Sequence, residues 1–226
     1  SQAGCDMGCA FCASTTGGRI RDLSASEILS QAYLGADILN KERQARLSHI
    51  VIMGMGEPLI NYDNVIRFIR IITDERGMNL SARNITLSTC GIIDGMAALS
   101  DEGFPITLAL SLHAATQKKR ERIMPIARRY KLDEVMAACD EYFKKTKRRI
   151  TLEYAMIKDF NDSADDARAL IKLIGKRGLH VNLIPLNDVE KSPFRPSDKK
   201  TMDKFRSILE KGEIKATVRR SMGKDI

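Results

Sequence analysis

The chain has 226 residues, enough for one large domain or two small ones with a fully buried core. Its 37 Lys and Arg residues exceed its 29 Asp and Glu residues, for a formal net charge of +8. This balance favours nucleic acid as a partner, although lysine-rich cytosolic enzymes carry similar charge for solubility. There is no apolar run of membrane-spanning length and no signal-peptide pattern, so we expect a cytoplasmic protein without a membrane partner.

Short β-branched runs alternate with amphipathic stretches along the whole chain. In order, we predict the end of a strand at residues 1–4, a helix that begins at the capping box of Ser24 and Glu27, strand 49–54, helix 61–73, strand 84–89, helix 94–100, strand 105–112, helix 131–146, strand 149–157, helix 163–176, strand 180–186, helix 197–211 and strand 215–220. Several strands are apolar at nearly every position, which is typical of parallel strands buried on both faces. This α/β pattern predicts crossover units around a parallel sheet that curls into a full or partial barrel.

Three of the five cysteines lie together near the start of the chain, at Cys5, Cys9 and Cys12. Thiolates are the soft ligands that iron-sulfur clusters and zinc select. A four-iron cluster held by three cysteines leaves one iron open to a small molecule, and a vacant position on a metal is where chemistry occurs. Two alternatives remain: a zinc site completed by Cys90, Cys139 or a histidine, and a disulfide framework. Structural zinc usually shows paired ligand spacings, and an odd number of cysteines disfavours disulfides.

Polar residues follow the other predicted strands, at the edge of a parallel sheet where ligands bind. The candidates are Gly56 and Glu57 in the string Gly54-Met55-Gly56-Glu57-Pro58, Ser88, the triplet Ser111-Leu112-His113, and Asn187. Glycines allow a ligand to approach the backbone closely, and a carboxylate accepts hydrogen bonds from an ammonium group. Taken singly, each has a plain alternative as a turn, a structural hydroxyl or a histidine satisfied by the backbone.

The spacing Cys-x3-Cys-x2-Cys, with Phe11 before the last cysteine and Gly56-Glu57-Pro58 one strand–helix unit later, resembles the radical S-adenosylmethionine superfamily. The resemblance implies that Cys5, Cys9 and Cys12 hold a [4Fe-4S] cluster whose open iron is chelated by S-adenosylmethionine. One-electron reduction then cleaves this cofactor to methionine and a 5'-deoxyadenosyl radical. The resemblance also implies a partial (βα)6 barrel of the TIM type with an extra closing strand, whose first strand ends at residues 1–4.

Longer strings narrow the resemblance to the RlmN family. They are Ser1-Gln2-Ala3-Gly4-Cys5, Met53-Gly54-Met55-Gly56-Glu57-Pro58-Leu59, Ser88-Thr89-Cys90-Gly91, Leu110-Ser111-Leu112-His113-Ala114, Arg122-Ile123-Met124-Pro125-Ile126, Leu183-Ile184-Pro185-Leu186-Asn187 and Val218-Arg219-Arg220-Ser221-Met222-Gly223. The family methylates carbon 2 of an adenine in large-subunit ribosomal RNA, and in some members in transfer RNA. The likeness implies cofactor contacts from Gly56, Glu57, Ser88, Ser111, Leu112, His113 and Asn187, a flavodoxin or ferredoxin as electron donor, and a monomer. A relative that methylates carbon 8, which confers antibiotic resistance, and a non-catalytic iron-sulfur RNA-binding protein are the alternatives.

The family's route uses a cysteine that carries the methyl group to the adenine and a second cysteine that releases the product as a disulfide forms. The first follows a string matched here by Met222-Gly223-Lys224-Asp225-Ile226, where the chain ends, and the second precedes the cluster motif. The chain opens on Ser1 rather than methionine, so we expect it to be a piece of a longer protein, without catalytic residues of its own. We also expect these 226 residues to bind cluster and cofactor without completing methyl transfer.

Basic residues recur along the chain. The clusters are Lys118-Lys119-Arg120 with Arg122, Arg128-Arg129, Lys144-Lys145 with Lys147-Arg148-Arg149, and Arg219-Arg220. We expect the loop over residues 118–129 to contact RNA, because it follows the strand that carries His113. The cluster at 144–149 closes a helix, where cations suit the helix dipole, so we interpret it as a solvated surface. Cys139 is interpreted as a helix core residue and Cys90 as strand-end packing.

Overall fold

A computed structural model describes residues 1–187 and 192–219. The strands are β1 (Gln2–Gly4), β2 (Arg19–Asp22), β3 (Ile50–Ile52), β4 (Ile85–Thr89), β5 (Thr107–Ser111), β6 (Ile150–Met156), β7 (His180–Pro185) and β8 (Lys215–Val218). The helices are α1 (Ala25–Arg43), α2 (Tyr62–Thr73), α3 (Ile93–Asp101), α4 (Gln117–Ile123), α5 (Leu132–Thr146), α6 (Ala164–Ile174) and α7 (Lys199–Lys211). None of the helices within these ranges is both long and apolar enough to cross a lipid bilayer.

Strands β3 to β8 form one parallel sheet in which the spatial order equals the order along the chain. Side chains from all six strands, from Val51 on β3 to Thr217 on β8, line a single cavity of about 290 Å³. Past the ends of the two outermost strands, Arg219 Nη1 lies 4.0 Å from Met53 Sδ. Only a curled sheet brings these residues together, and among the described residues β3 and β8 do not pair. The predicted α/β architecture with a partial barrel is therefore confirmed.

The two faces of the sheet differ in polarity because side chains alternate along each strand. Outward residues such as Leu87, Leu108 and Val181 are fully buried against the helices, where they form the hydrophobic core. Inward positions are polar, as in Thr86, Thr107, Thr151, Glu153 and Asn182, which line the central cavity. We expected strands that are apolar on both faces, and this was wrong for the inner face of the sheet. The inner face surrounds a cavity instead of packing against a second layer.

Most of the helices begin where the sequence indicates. Ser24 and Glu27 form the predicted capping box at the start of α1, and Ser163 forms a second one with Asp166 at the start of α6. Cys139 lies in α5 with 1% of its surface exposed, which confirms its assignment to the core.

Two segments differ from the prediction. Residues 2–4 form a strand, but it pairs antiparallel with β2 in a separate two-stranded sheet rather than joining the parallel sheet. Its backbone contacts the loop after β3, where Gln2 N donates to Met55 O (3.4 Å) and Gly4 N to Met55 Sδ (3.1 Å). The segment expected to be a basic loop forms α4 and a short 3-10 turn over Pro125–Arg128, because Thr116 caps the helix by accepting from Lys119 N. Arg220 and the string from Met222 to Ile226 lie outside the described residues.

Candidate active site

The three clustered cysteines lie in the loop that joins β1 to β2. Cys5 N donates to Gly18 O (3.1 Å), which closes the base of the loop, and Cys12 N donates to Cys9 O (3.0 Å) within it. Cys5 is buried, whereas Cys9 and Cys12 are half-buried. All three line one cleft at the carboxyl ends of β3, β4 and β5, which we call the cysteine cleft. The prediction that the cysteine loop faces the carboxyl edge of the sheet is therefore confirmed.

The thiolates of Cys5, Cys9 and Cys12 are suited to bind a metal centre that contains several ions. Burial, followed by the neighbouring thiolates of Cys12 and Cys5, raises the pKa of Cys9 to about 12. Three thiolates this close need a positive group between them to be deprotonated at neutral pH, and the irons of a cluster supply that charge. Within the described part of the chain, no three His, Cys, Asp or Glu side chains are grouped as ligands of a single ion. A four-iron cluster takes one thiolate per iron, so Cys5, Cys9 and Cys12 can hold three irons and leave the fourth iron open.

Gly56 and Glu57 form the wall of the cleft that follows β3. Gly56 has φ of +91°, and a Cβ atom there would lie 2.6 Å from Gln2 Cβ, so only glycine fits. Glu57 is 3% exposed, and its carboxylate accepts from Leu59 N (3.1 Å) and Cys90 N (2.8 Å). Burial raises the pKa of Glu57, while these backbone donors oppose the shift. The remaining lone pairs of the carboxylate can accept from an ammonium group.

Ser88 and Ser111 face each other across β4 and β5, with 3.3 Å between their hydroxyl oxygens. They begin a row of polar side chains on the inner face of the sheet, because Ser111 lies opposite Glu153 on β6. Asn182 on β7 continues the row by donating to Glu153 Oε1 (2.8 Å). Both serines line the cysteine cleft, so they can bind hydroxyl or carboxylate groups of a ligand there.

His113 is held in one orientation and one tautomer. Its backbone has φ of +56°, and its Nδ1 accepts from Ala155 N (3.0 Å), which leaves Nε2–H as the donor of the neutral ring. Burial, with a smaller effect of Arg120, lowers the pKa of His113 to about 3. The ring packs edge-on against Phe11 of the cysteine loop, with 4.8 Å between centroids. His113 is therefore a neutral donor in the cleft.

Asn161 is a residue that the sequence prediction missed. It is fully buried, and its amide donates to His113 O and Ala155 O (2.7 Å each) while accepting from Ile157 N (2.7 Å). These bonds hold the unusual backbone at His113 in place. No local signal marks Asn161, because an asparagine in a turn is common and its partners are distant in sequence.

Two predicted cofactor contacts are not brought into the cleft. Leu112 is fully buried in the core, because strand alternation turns it to the face opposite Ser111. Its backbone is also engaged, since Leu112 N donates to Glu153 O (3.0 Å) and its carbonyl accepts from Arg120. Asn187 is exposed beyond β7 and is not among the residues that line the cleft, and the neighbouring residues 188–191 lie outside the described residues.

Cys90 packs at the end of β4, as expected, within a buried apolar cluster that includes Ala114 and Met124. It also lines the cysteine cleft, with its Sγ 3.5 Å from Met7 Sδ. The thiol thus forms part of the cleft wall rather than only packing under it. All five cysteines are free thiols.

The predicted RNA-contacting segment divides into two faces because it is helical. Arg120 is fully buried, and Lys119 forms an ion pair with the buried Asp166 (2.6 Å), so these two cannot contact RNA as expected. Lys118, Arg122, Arg128 and Arg129 are exposed, and we call this set the α4 basic face. The Arg122 guanidinium lies 4.9 Å from the ring centroid of the half-buried Phe160.

Residues 1–174 match the profile of the Radical SAM superfamily. A relative from Clostridium botulinum (strain Alaska E43 / Type E3), named probable dual-specificity RNA methyltransferase RlmN, is 50% identical over all 226 residues, which cover 64% of its length. The crystal structure of a radical SAM methyltransferase from Sphaerobacter thermophilus superposes with a TM-score of 0.97 at 42% identity, covering all of this chain and 66% of that one.

At 14% identity, Streptococcus suis SuiB bound to S-adenosylmethionine shares the fold alone, with a TM-score of 0.69 over 97% of this chain and 49% of that one. The chain spans a little under two thirds of the length of the curated relatives that it matches. With its cysteine loop at the carboxyl edge of a curled parallel sheet, the chain belongs to the radical SAM superfamily, whose members use a [4Fe-4S] cluster and S-adenosylmethionine.

Proposed function

We propose that this chain is the core of a radical S-adenosylmethionine enzyme that methylates carbon 2 of an adenine in large-subunit ribosomal RNA, and also in transfer RNA. The observation that carries the proposal is the convergence of Cys5, Cys9, Cys12, Gly56, Glu57, Ser88, Ser111 and His113 on one cleft, although they come from separate parts of the chain. An electron carrier without a substrate needs no such set of polar groups beside its metal site. The name of the Clostridium botulinum relative, probable dual-specificity RNA methyltransferase RlmN, supports RNA as the substrate.

In this proposal the three cysteines hold the cluster, which when bound and reduced delivers one electron to S-adenosylmethionine and so generates a 5'-deoxyadenosyl radical. A radical is needed because carbon 2 of adenine is electrophilic and bears no acidic proton. The carboxylate of Glu57 accepts from the amino group of the cofactor's methionine part, and Gly56 lets that group approach the backbone. Ser88 and Ser111 bind its polar oxygens, and His113 donates from Nε2 as a neutral ring.

The transfer step in this proposal uses cysteines of the longer protein, one of which carries the methyl group to the adenine. The chain's own residues bind and orient the cofactor, and the buried wall of Glu57, Cys90 and Met124 excludes water from the radical. A one-electron carrier of the flavodoxin or ferredoxin type supplies the electron, and the protein acts as a cytoplasmic monomer.

The α4 basic face is the surface that we assign to RNA. Ala10 N of the cysteine loop donates to Ile123 O (2.9 Å), so the end of α4 adjoins the cleft. Exposed cations there can contact phosphates, and the exposed guanidinium of Arg122, which lies over the ring of Phe160, offers a stacking plane to an unpaired base. An adenine has to leave its stack to reach a buried radical, and such a surface stabilises the nucleotides around it.

The test is anaerobic reconstitution of the chain with iron and sulfide, addition of S-adenosylmethionine and dithionite, and measurement of 5'-deoxyadenosine. We expect the wild type and Cys139→Ala to form it, and Cys9→Ala to form none, because Cys139 is a buried core thiol that does not line the cleft. A wild-type chain with a full cluster but no 5'-deoxyadenosine would contradict the proposal. In the full-length protein, mass spectrometry of treated RNA distinguishes methylation at carbon 2 from methylation at carbon 8.

A further inference from the structure

Arg120 is a buried cation without a carboxylate partner. None of its side chain is exposed, and among the described residues its hydrogen bonds go only to backbone carbonyls. Its Nε donates to Leu112 O (3.2 Å), and its Nη2 donates to Cys90 O (2.6 Å) and Ser111 O (3.3 Å). In the same part of the chain, Nη1 has no hydrogen-bond partner. Burying a guanidinium in this way is costly unless a negative group compensates it.

The guanidinium lies directly behind the wall of the cysteine cleft. Cys90 and Ser111, whose carbonyls it binds, both line the cleft with the three clustered cysteines. Met124, one residue past the end of α4, lines it as well. The cleft's own carboxylate, Glu57, is engaged by backbone donors from Leu59 and Cys90 rather than by Arg120.

We propose that Arg120 is a positioning residue whose fixed positive charge compensates the anionic cluster and raises its reduction potential. The proposal depends on the proposed function, since it requires a cluster bound by Cys5, Cys9 and Cys12. Three thiolates outweigh the charge of an oxidised four-iron core, so the site is anionic before reduction and more anionic after it. A nearby cation stabilises the reduced form more than the oxidised form, and water screens a buried charge weakly.

A purely structural role is the competing explanation, because Arg120 also ties the ends of β4 and β5 to α4. Variants that change the charge and the hydrogen bonds of Arg120 separately distinguish the electrostatic role from the structural role. Arg120→Lys keeps the charge and loses the forked hydrogen bonds, whereas Arg120→Met and Arg120→Gln remove the charge. Arg120→Gln keeps a donor for the backbone carbonyls, whereas Arg120→Met keeps the apolar length of the side chain and leaves those carbonyls without a donor.

Arg148→Gln is the matched control, because it removes an equal charge at the opposite edge of the sheet. Arg148 Nη2 donates to Thr107 Oγ1 (3.2 Å), and Thr107 is the first residue of β5, whereas Ser111 at the cleft is the last. A change in net charge alone would therefore affect Arg148→Gln as much as the Arg120 variants.

The experiment is a redox titration of the reconstituted chain, followed by the electron paramagnetic resonance signal of the reduced cluster. We expect the equilibrium constant for one-electron reduction of the cluster to fall at least tenfold in Arg120→Met and Arg120→Gln. The reduction potential would then be lower by at least about 59 mV. The reduction potentials of Arg120→Lys and Arg148→Gln should stay close to that of the wild type.

Equal potentials in the wild type, Arg120→Met and Arg120→Lys would overturn the proposal. Folded neutral variants that lose the cluster while Arg120→Lys retains it would support it, because the charge would then be needed to hold an anionic centre. If the neutral variants fail to fold, or if Arg120→Lys also loses the cluster, the residue serves the fold alone and the proposal is wrong. A wild type that binds no cluster contradicts the proposed function instead.

Discussion

His113 shows how a single side chain is fixed for one chemical role. Its left-handed backbone is disfavoured for most residues, and Asn161 holds it by accepting from Ile157 N and donating to the His113 carbonyl. Burial keeps the imidazole neutral, and the bond from Ala155 N fixes which nitrogen carries the proton. The residue therefore donates a hydrogen bond but does not act as an acid or base near neutral pH.

The buried, neutral His113 makes the stability of the chain depend on pH. Its pKa is about 3 in the folded chain against an ordinary value of 6.5, so only the unfolded chain takes up this proton between those values. The contribution of His113 to the free energy of unfolding is fully present above pH 6.5. It is lost as the pH falls, by at most about 1.4 kcal/mol per pH unit. Urea unfolding of wild type and His113→Asn at pH 7.5 and 5.5 should show the larger loss in the wild type. Asparagine is the chosen substitute because it tolerates a positive φ. Equal pH dependence in the two chains would contradict this expectation.

At the scale of elements, the hairpin of β1 and β2 closes the loop that carries the cysteines. Gly4 has φ of +81°, and a Cβ atom there would lie 1.8 Å from Gly18 O. That carbonyl accepts from Cys5 N, so the close approach of the two strands also sets the position of the first cysteine. The loop geometry thus depends on a backbone contact that only glycine permits.

Gly4→Ala should therefore prevent the chain from retaining a cluster. The strain exceeds the roughly 1–3 kcal/mol of an ordinary disfavoured backbone, because the clash is with main-chain atoms that cannot rotate away. Iron and sulfide content per chain after reconstitution measures the effect. Gly17→Ala is the control, since a Cβ atom there meets nothing within 4 Å and the substitution should leave the content unchanged. A full cluster in Gly4→Ala would show that the hairpin does not position the cysteines.

At the scale of the whole molecule, the net charge of +8 is spread over both edges of the sheet. The α4 basic face lies beside the cysteine cleft, whereas Lys144 near the end of α5 and Arg149 before β6 lie at the amino edge. Net charge alone would attract RNA equally to both edges. A substrate adenine has to reach the cleft, so only the first set should matter for binding in the productive orientation.

Two double charge reversals that change the net charge equally test this distinction. We expect Lys118→Glu with Arg128→Glu to weaken binding of an RNA hairpin with an unpaired adenine at least tenfold and to reduce the slope of affinity against salt by about two. Lys144→Glu with Arg149→Glu changes the net charge equally and should have a much smaller effect. Fluorescence anisotropy across a salt series measures both quantities. Equal losses in the two double variants would mean that RNA binds through general charge attraction.

The strands of the parallel sheet and the helices between them, apart from α4, could be predicted from the sequence because capping boxes and apolar alternation are local signals. The strand-end rule also identified the residues of the cleft, such as Glu57 and Ser111, before any contact was known. Three features could not be predicted, because each depends on contacts that are distant in sequence. The direction of the Leu112 side chain depends on which face of β5 is buried. The burial of Arg120 depends on its backbone carbonyl partners, and the position of β1 depends on its pairing with β2.

The strand order has a consequence for how the molecule is assembled. Each strand of the parallel sheet pairs with its neighbour in sequence, so every pairing closes a loop that holds only one strand–helix unit. The thiol-bearing hairpin, by contrast, meets its partners far along the chain, as in the contact of Met7 with Cys90 across 83 residues. We therefore expect the cysteine loop to be enclosed only after the strands that it contacts have paired, so that incoming iron can reach the thiols until then.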